Sequence, residues 1–416
     1  MARCQSSVEK DVSAFFERCG LPRDTRSRCW ALARGVFPNE YIEESNPQGY
    51  CSYTLCIGQD IIVQFRPTVH QLNIKLTTAA QSIYGGLAPH TKLLSIIDVP
   101  RSCSLDDFAE LPHDKLMDEA VVIDDGCYSH VSLHVYSMAR IPGLSVAELR
   151  ASWTQSSPPL AELRCQREDI IRQFANFIII GWKSSRSALD PTILSLSGRI
   201  GGSISWRVQE MRAHLPRRFQ PAVKSALERL DDIESLPWVL THGDVVPANI
   251  MVRNTRVALS GEVVLTGFLD WAEAEYLPFG IGFYGVEALL GEPDRDGRFS
   301  YYPEAKELRE SFWLCLEAEI PELRVDHGLG NFRRKVEAAH ALGVLLWHGI
   351  AFDNGKLDRV VDEERPEDAE EVRILDLFFA SHAKARNKGV EPERSAEPDS
   401  SRIDRPFDLG RAFPDI

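Results

Sequence analysis

The strongest constraint on how this chain folds is a switch of hydrophobic period at Ile141-Pro142-Gly143. Before it, Ser52–Ile57 and Ile61–Phe65 are short runs rich in β-branched and aromatic residues. Gly58-Gln59-Asp60 separates them, which reads as a β-hairpin. Leu93–Val99 and Ser129–Met138 add two strands, and a helix is expected over His70–Tyr84, stopping at Gly85-Gly86. Ser6-x-x-Glu9 is a capping box that opens an N-terminal helix through Val12, Phe15 and Phe16. After the switch, apolar residues recur at helical spacing over Leu160–Trp182, Ser205–Asp232, Pro303–Glu319, Phe332–Ile350 and Glu370–Ala383. Two β-like runs, Ile250–Arg253 and Glu262–Leu269, interrupt that series. The expectation is an α+β chain in two lobes. Residues 1–137 form a small β-rich lobe and 138–384 a larger helical one, while 385–416 is a charged, proline-rich and flexible tail.

Charge and cysteine usage narrow the class. With 47 basic against 61 acidic residues the formal charge is −14, which argues against a phosphate-backbone partner, so no nucleic acid is expected. No apolar run nears the roughly 20 residues that span a bilayer, and the first residues lack a signal core, so no membrane partner is expected either. Nine cysteines without a CxxC pair suit reduced thiols and a cytoplasmic location.

The chemistry concentrates in Leu240-Thr241-His242-Gly243-Asp244-Val245-Val246-Pro247-Ala248-Asn249-Ile250. His-x-Asp followed by Asn five residues after the Asp is the spacing of a kinase catalytic loop. Phosphoryl transfer requires a carboxylate beside the acceptor hydroxyl, for which Asp244 is the candidate, and a neutral oxygen to hold Mg²⁺, for which Asn249 is the candidate. Gly267-Phe268-Leu269-Asp270-Trp271 places a second carboxylate at the end of an apolar strand, and Asp270 completes the metal pair. If the two β-like runs form a hairpin, Asn249 and Asp270 share one end of it. His242 reads as a brace for the loop backbone.

HGDVVPANIMV followed by GFLDWAEAEYLPFG resembles the aminoglycoside phosphotransferase and choline kinase superfamily, in particular its fungal-type branch. QGYCSYTL, IIVQFRP, IYGGLAP, ESLPWVLTHGD and GVLLWHGIAFDNG fit the same branch and extend the resemblance over roughly residues 45 to 380. The resemblance implies a bilobal, protein-kinase-like fold with ATP between the lobes, Mg²⁺ as its ion and a small-molecule hydroxyl as acceptor. It also implies a phosphate-covering loop at Gly49–Ser52, where backbone N–H groups and the Ser52 hydroxyl meet the phosphates, and a hinge at Met138–Gly143, with Met138, Ala139 and Ile141 at the adenine edge. The strand lysine of the family is missing. Arg66 is the candidate replacement and Gln64, two residues before it on the same strand face, is the rival. The glutamate expected on the next helix is missing too, since Pro67 to Ile97 contains no acid; either Gln71 or Gln81 orients the arginine by a neutral hydrogen bond or the pairing is absent.

Gly280-Ile281-Gly282-Phe283-Tyr284-Gly285 is a literal GxGxxG, but it follows a turn-like segment rather than a strand, so close loop–helix packing is expected of it instead of dinucleotide binding. His340 and His348 read as core or groove residues rather than metal ligands, since no paired His/Cys spacing accompanies them. Trp271, Glu273, Glu275, Trp347 and Asp353 are candidates for the acceptor pocket. The rival reading is a kinase-like module that binds nucleotide and transfers little or no phosphate, motivated by the missing lysine and glutamate. A third reading is a hydrolase that uses the same carboxylates with water as acceptor.

Overall fold

The structure is a computed structural model. It describes residues 12–46, 48–100, 130–196, 198, 200–255, 261–324, 330–353 and 356–388. The capping box at Ser6–Glu9 and most of the expected tail lie outside them.

The N-terminal lobe is a five-stranded antiparallel sheet of β1 (Ile42–Glu44), β2 (Tyr53–Ile57), β3 (Ile61–Pro67), β4 (Thr91–Pro100) and β5 (His130–Ala139), in the order β1-β2-β3-β5-β4. The expected hairpin is β2–β3, closed at Ile57 opposite Ile61 with Gly58 at φ +57°. Tyr53, Leu55, Val63, Phe65, Leu133 and Val135 bury one sheet face against Val12, Phe15, Cys29 and Ala33 from the preceding helical segments. The expected helix at His70–Tyr84 starts later, at Ile74. Asn73 caps it by accepting from the Lys75 and Leu76 amides, and Thr68–His70 is a 3₁₀ turn.

A second core fills the helical lobe. The 24-residue helix Leu160–Lys183 buries Ile170, Ile171, Phe174 and Phe177, and Gly330–His348 buries Val336, Leu342 and Leu345. The Ser205–Asp232 expectation breaks into three helices, Ile204–His214, Gln220–Glu228 and Leu230–Glu234. Pro216 ends the first of them, because a proline bars its predecessor from helical backbone. Phe332–Ile350 likewise stops at His348, and Ile350–Asp353 is a strand. The last helix, Ala369–Lys388, runs further than expected. Helix Val146–Ser156 was not foreseen, although Ser145 and Glu148 form a full capping box at its start.

Two small pairings position the chemistry. Strands Ile250–Asn254 and Val263–Phe268 form the expected hairpin, and Trp238–Thr241 pairs antiparallel with Glu275–Pro278. The loop from Thr241 to Ile250 is therefore fixed at both ends. No described helix is long and apolar enough to cross a membrane.

Candidate active site

The loop is shaped by Gly243. Its φ is +80°, and a Cβ there would lie 1.9 Å from the Glu273 carbonyl oxygen, so only glycine permits the approach. His242 is 1% exposed and braces this turn, as expected. Its Nδ1 accepts from the Asp244 amide at 3.2 Å, which leaves the Nε2–H to donate to the Leu269 carbonyl at 2.7 Å. Burial lowers its pKa to about 4, so the ring is neutral near pH 7 and ties the loop to the hairpin end.

Asp244 and Asn249 face each other across that turn. Asn249 Nδ2 donates to Asp244 Oδ2 at 2.8 Å and to the Asp244 carbonyl at 3.1 Å, which turns the amide oxygen away from the aspartate. Burial pushes the Asp244 carboxyl up to about 6, the charges of Asp270 and Glu273 add to that, and the Asn249 hydrogen bond opposes it. Asp270 lies at the same hairpin end. Ile250 pairs with Phe268, the Leu269 amide donates to the Asn249 carbonyl at 2.8 Å, and Asp270 itself adopts left-handed backbone at φ +57°. A non-glycine residue held in that region is a local strain that the surrounding structure sustains.

The β-rich lobe brings in Arg66. Its side chain is 3% exposed and its Nη2 donates to Asp270 Oδ1 at 2.9 Å, an ion pair that joins the two lobes. Arg66 Nε donates to Gln64 Oε1 at 2.9 Å. Gln64 is thus a hydrogen-bond partner of Arg66, the contact expected from Gln71 or Gln81. The spacing of two on one strand was the available signal. In the Gly49–Ser52 loop, burial raises the Cys51 thiol, with the charge of Arg66 opposing and that of Asp270 adding to the shift. Ser52 is buried and shares a 3.2 Å hydrogen bond with the Thr54 hydroxyl. Tyr50 at the loop tip carries the Arg18 guanidinium 3.9 Å above its ring, and it meets Phe352 of the helical lobe edge-on at 6.5 Å.

At the hinge, Met138 and Ala139 pair with Ile62 and Ile61. The Ala139 and Arg140 amides donate to the His90 and Asp60 carbonyls, so both are committed within the protein. Ile141 is buried against Gly267. The GxGxxG segment packs as expected: a Cβ on Gly285 would lie 2.4 Å from Val245 Cγ1. His340 and His348 are both buried in the helical lobe, beside Glu287 and Glu371.

Of the acceptor-pocket candidates, Trp271 is core, donating from Nε1 to the Phe268 carbonyl and packing its ring on His242. Glu275 accepts from the Ile200 and Gly201 amides, and burial pushes its carboxyl up to about 7. Asp353 pairs with Arg359. Trp347 stacks at 4.4 Å on Tyr284, whose hydroxyl accepts from the Val245 amide; sequence periodicity carried no sign of that support for the loop. Among the described residues no three His, Cys, Asp or Glu side chains cluster as a ready metal cage. The oxygen donors at the site are those of Asn249, Asp270 and Asp244, a hard set suited to Mg²⁺ that also takes phosphate and water oxygens.

Residues 203–281 match the profile of the phosphotransferase enzyme family. Comparison with curated protein sequences gives no match. Similar solved structures include aminoglycoside 2'-phosphotransferase-IIIa in its GDP complex, with 14% identity, a TM-score of 0.47, and cover of 85% of this chain and 98% of that one. A putative aminoglycoside phosphotransferase from Ralstonia eutropha JMP134 has 14% identity, a TM-score of 0.45 and cover of 85% and 97%. A glucosamine kinase has 12% identity, a TM-score of 0.40 and cover of 88% and 84%.

Proposed function

We propose a Mg²⁺- and ATP-dependent kinase acting on a small-molecule hydroxyl, a reading supported by the match of residues 203–281 to the phosphotransferase enzyme family. One observation carries the reading. The Asp244–Asn249 contact and the Arg66–Asp270 ion pair, drawn from both lobes, converge at one hairpin end.

Asp244 accepts the acceptor hydroxyl's hydrogen bond, orients it toward the γ-phosphorus and takes its proton. Its partial burial and raised pKa suit a general base near neutrality. Arg66 presents a permanent charge to the phosphate oxygens, with the Gly49–Ser52 backbone covering them. Asn249 and Asp270 are the residues that would hold Mg²⁺. When bound, the ion supplies charge compensation to the phosphate oxygens in a reaction governed by positioning and electrostatics. Adenine would lie along Met138–Ile141, met there by groups other than the Ala139 and Arg140 amides, which donate within the protein. The six free thiols of the described residues support a reducing, cytoplasmic setting.

The test is a panel of hydroxylated metabolites incubated with purified protein, Mg²⁺ and γ-labelled ATP. ADP and a phosphorylated acceptor in equal amount are expected. Nucleotide binding without consumption would instead favour the non-catalytic module, and free phosphate formed with no acceptor would favour the hydrolase.

A further inference from the structure

The geometry points to Gln64 as a positioning residue for phosphate binding, one that fixes Arg66 in the role for which a helix-borne acid is absent; this rests on the phosphotransfer reading. Gln64 and Arg66 sit two apart on β3, so both side chains leave the same face of one strand. The guanidinium is nearly sealed from solvent and is held at two places: Nε by the Gln64 amide oxygen and Nη2 by Asp270 Oδ1, each at 2.9 Å. Among the described residues Nη1 has no protein partner, and it is the nitrogen left to meet an anion. Two fixed N–H directions of a planar group determine the third.

This arrangement requires arginine. An ammonium carries no Nε–H in mid-chain, so a lysine at this position keeps the attraction to Asp270 and loses the tie to Gln64. It also places the support within the strand that carries the charge. The following helix, Ile74–Tyr84, then contributes packing through Leu76, Ala80 and Tyr84 and no charge to the site.

A double-mutant cycle reads this directly, using the full chain as wild type, Gln64→Met, Arg66→Lys and the double substitution. Methionine keeps the length of glutamine and removes the acceptor. Calorimetry with Mg²⁺ and a non-hydrolysable ATP analogue gives affinity, and thermal unfolding confirms that each variant is folded. We expect Gln64→Met to weaken nucleotide binding roughly tenfold when Arg66 is present, the scale of one hydrogen bond to a charged group, and to change it less than about twofold in the Arg66→Lys background. Gln64→Glu, which retains the acceptor oxygen, restores most of the loss. Equal effects of Gln64→Met in both backgrounds would overturn the inference alone. Failure of the wild type to bind the nucleotide would overturn the functional reading and the inference together.

Discussion

At the scale of single residues, the acidic groups define what the site can do. Asp244→Asn keeps the Asn249 contact in reach and removes the proton acceptor, so turnover should fall by about 10²–10⁴-fold while nucleotide affinity stays within about threefold. Steady-state rates and calorimetry on the same preparation check both halves, and an undiminished rate removes Asp244 as the base. Asp270→Ala should lower turnover by about 10³-fold, because it strips an oxygen from the proposed ion and releases Arg66. His242 yields a stability prediction with a definite sign. Unfolded, it takes up a proton below about 6.5; folded and buried, it resists until about 4. Between those values the unfolded chain binds more protons, so stability declines as pH falls, by up to about 3 kcal/mol from this group. Because the raised carboxyls of Asp244 and Glu275 act in the opposite direction, the loss is read as the difference in urea unfolding between wild type and His242→Asn from pH 7 to 4, which should amount to about one proton in slope. An unchanged slope would mean that another group is responsible.

The behaviour of secondary-structure elements explains how much could be read without coordinates. The hairpin Ile61–Pro67 with Tyr53–Ile57 was legible because β-branched alternation and a turn glycine agree with each other. So was the end of the hairpin that sets Asn249 beside Asp270, since register follows from the two apolar runs. Helix limits were not. Pro216 splits one long periodic segment, and Asn73 delays another by capping it. The pairing of Trp238–Thr241 with Glu275–Pro278 joins strands far apart in sequence, which local pattern cannot reveal. The Gln64–Arg66 contact also escaped, because strand periodicity gives a shared face but not which polar atoms meet there. The loop held by that distant pairing makes its own prediction. Gly243→Ala drives a Cβ into the Glu273 carbonyl at a positive φ, so it should destabilise the fold by about 2–4 kcal/mol and abolish turnover. Gly202→Ala, with nothing within 4 Å of the added carbon, should shift the urea midpoint little.

Over the whole molecule, Tyr84 packs into the helical lobe on Phe177 and Trp271, and the cleft is crossed by the Arg66–Asp270 ion pair and the Tyr50–Phe352 ring contact. An aromatic pair of this kind contributes about 0.5–1.5 kcal/mol, so Phe352→Ala should speed nucleotide release by about 2–10-fold with little change in unfolding temperature. Stopped-flow displacement of a fluorescent analogue measures it, and an unaltered off-rate would show that the rings do not restrain the cleft. The clamp around Arg66 has a different consequence. Where a catalyst's charge holder rides on a mobile helix, swinging that helix can serve as an on–off lever. Here the holder and its prop belong to one rigid strand. With the prop on the same strand as the arginine, the position of that charge would not depend on the helix Ile74–Tyr84.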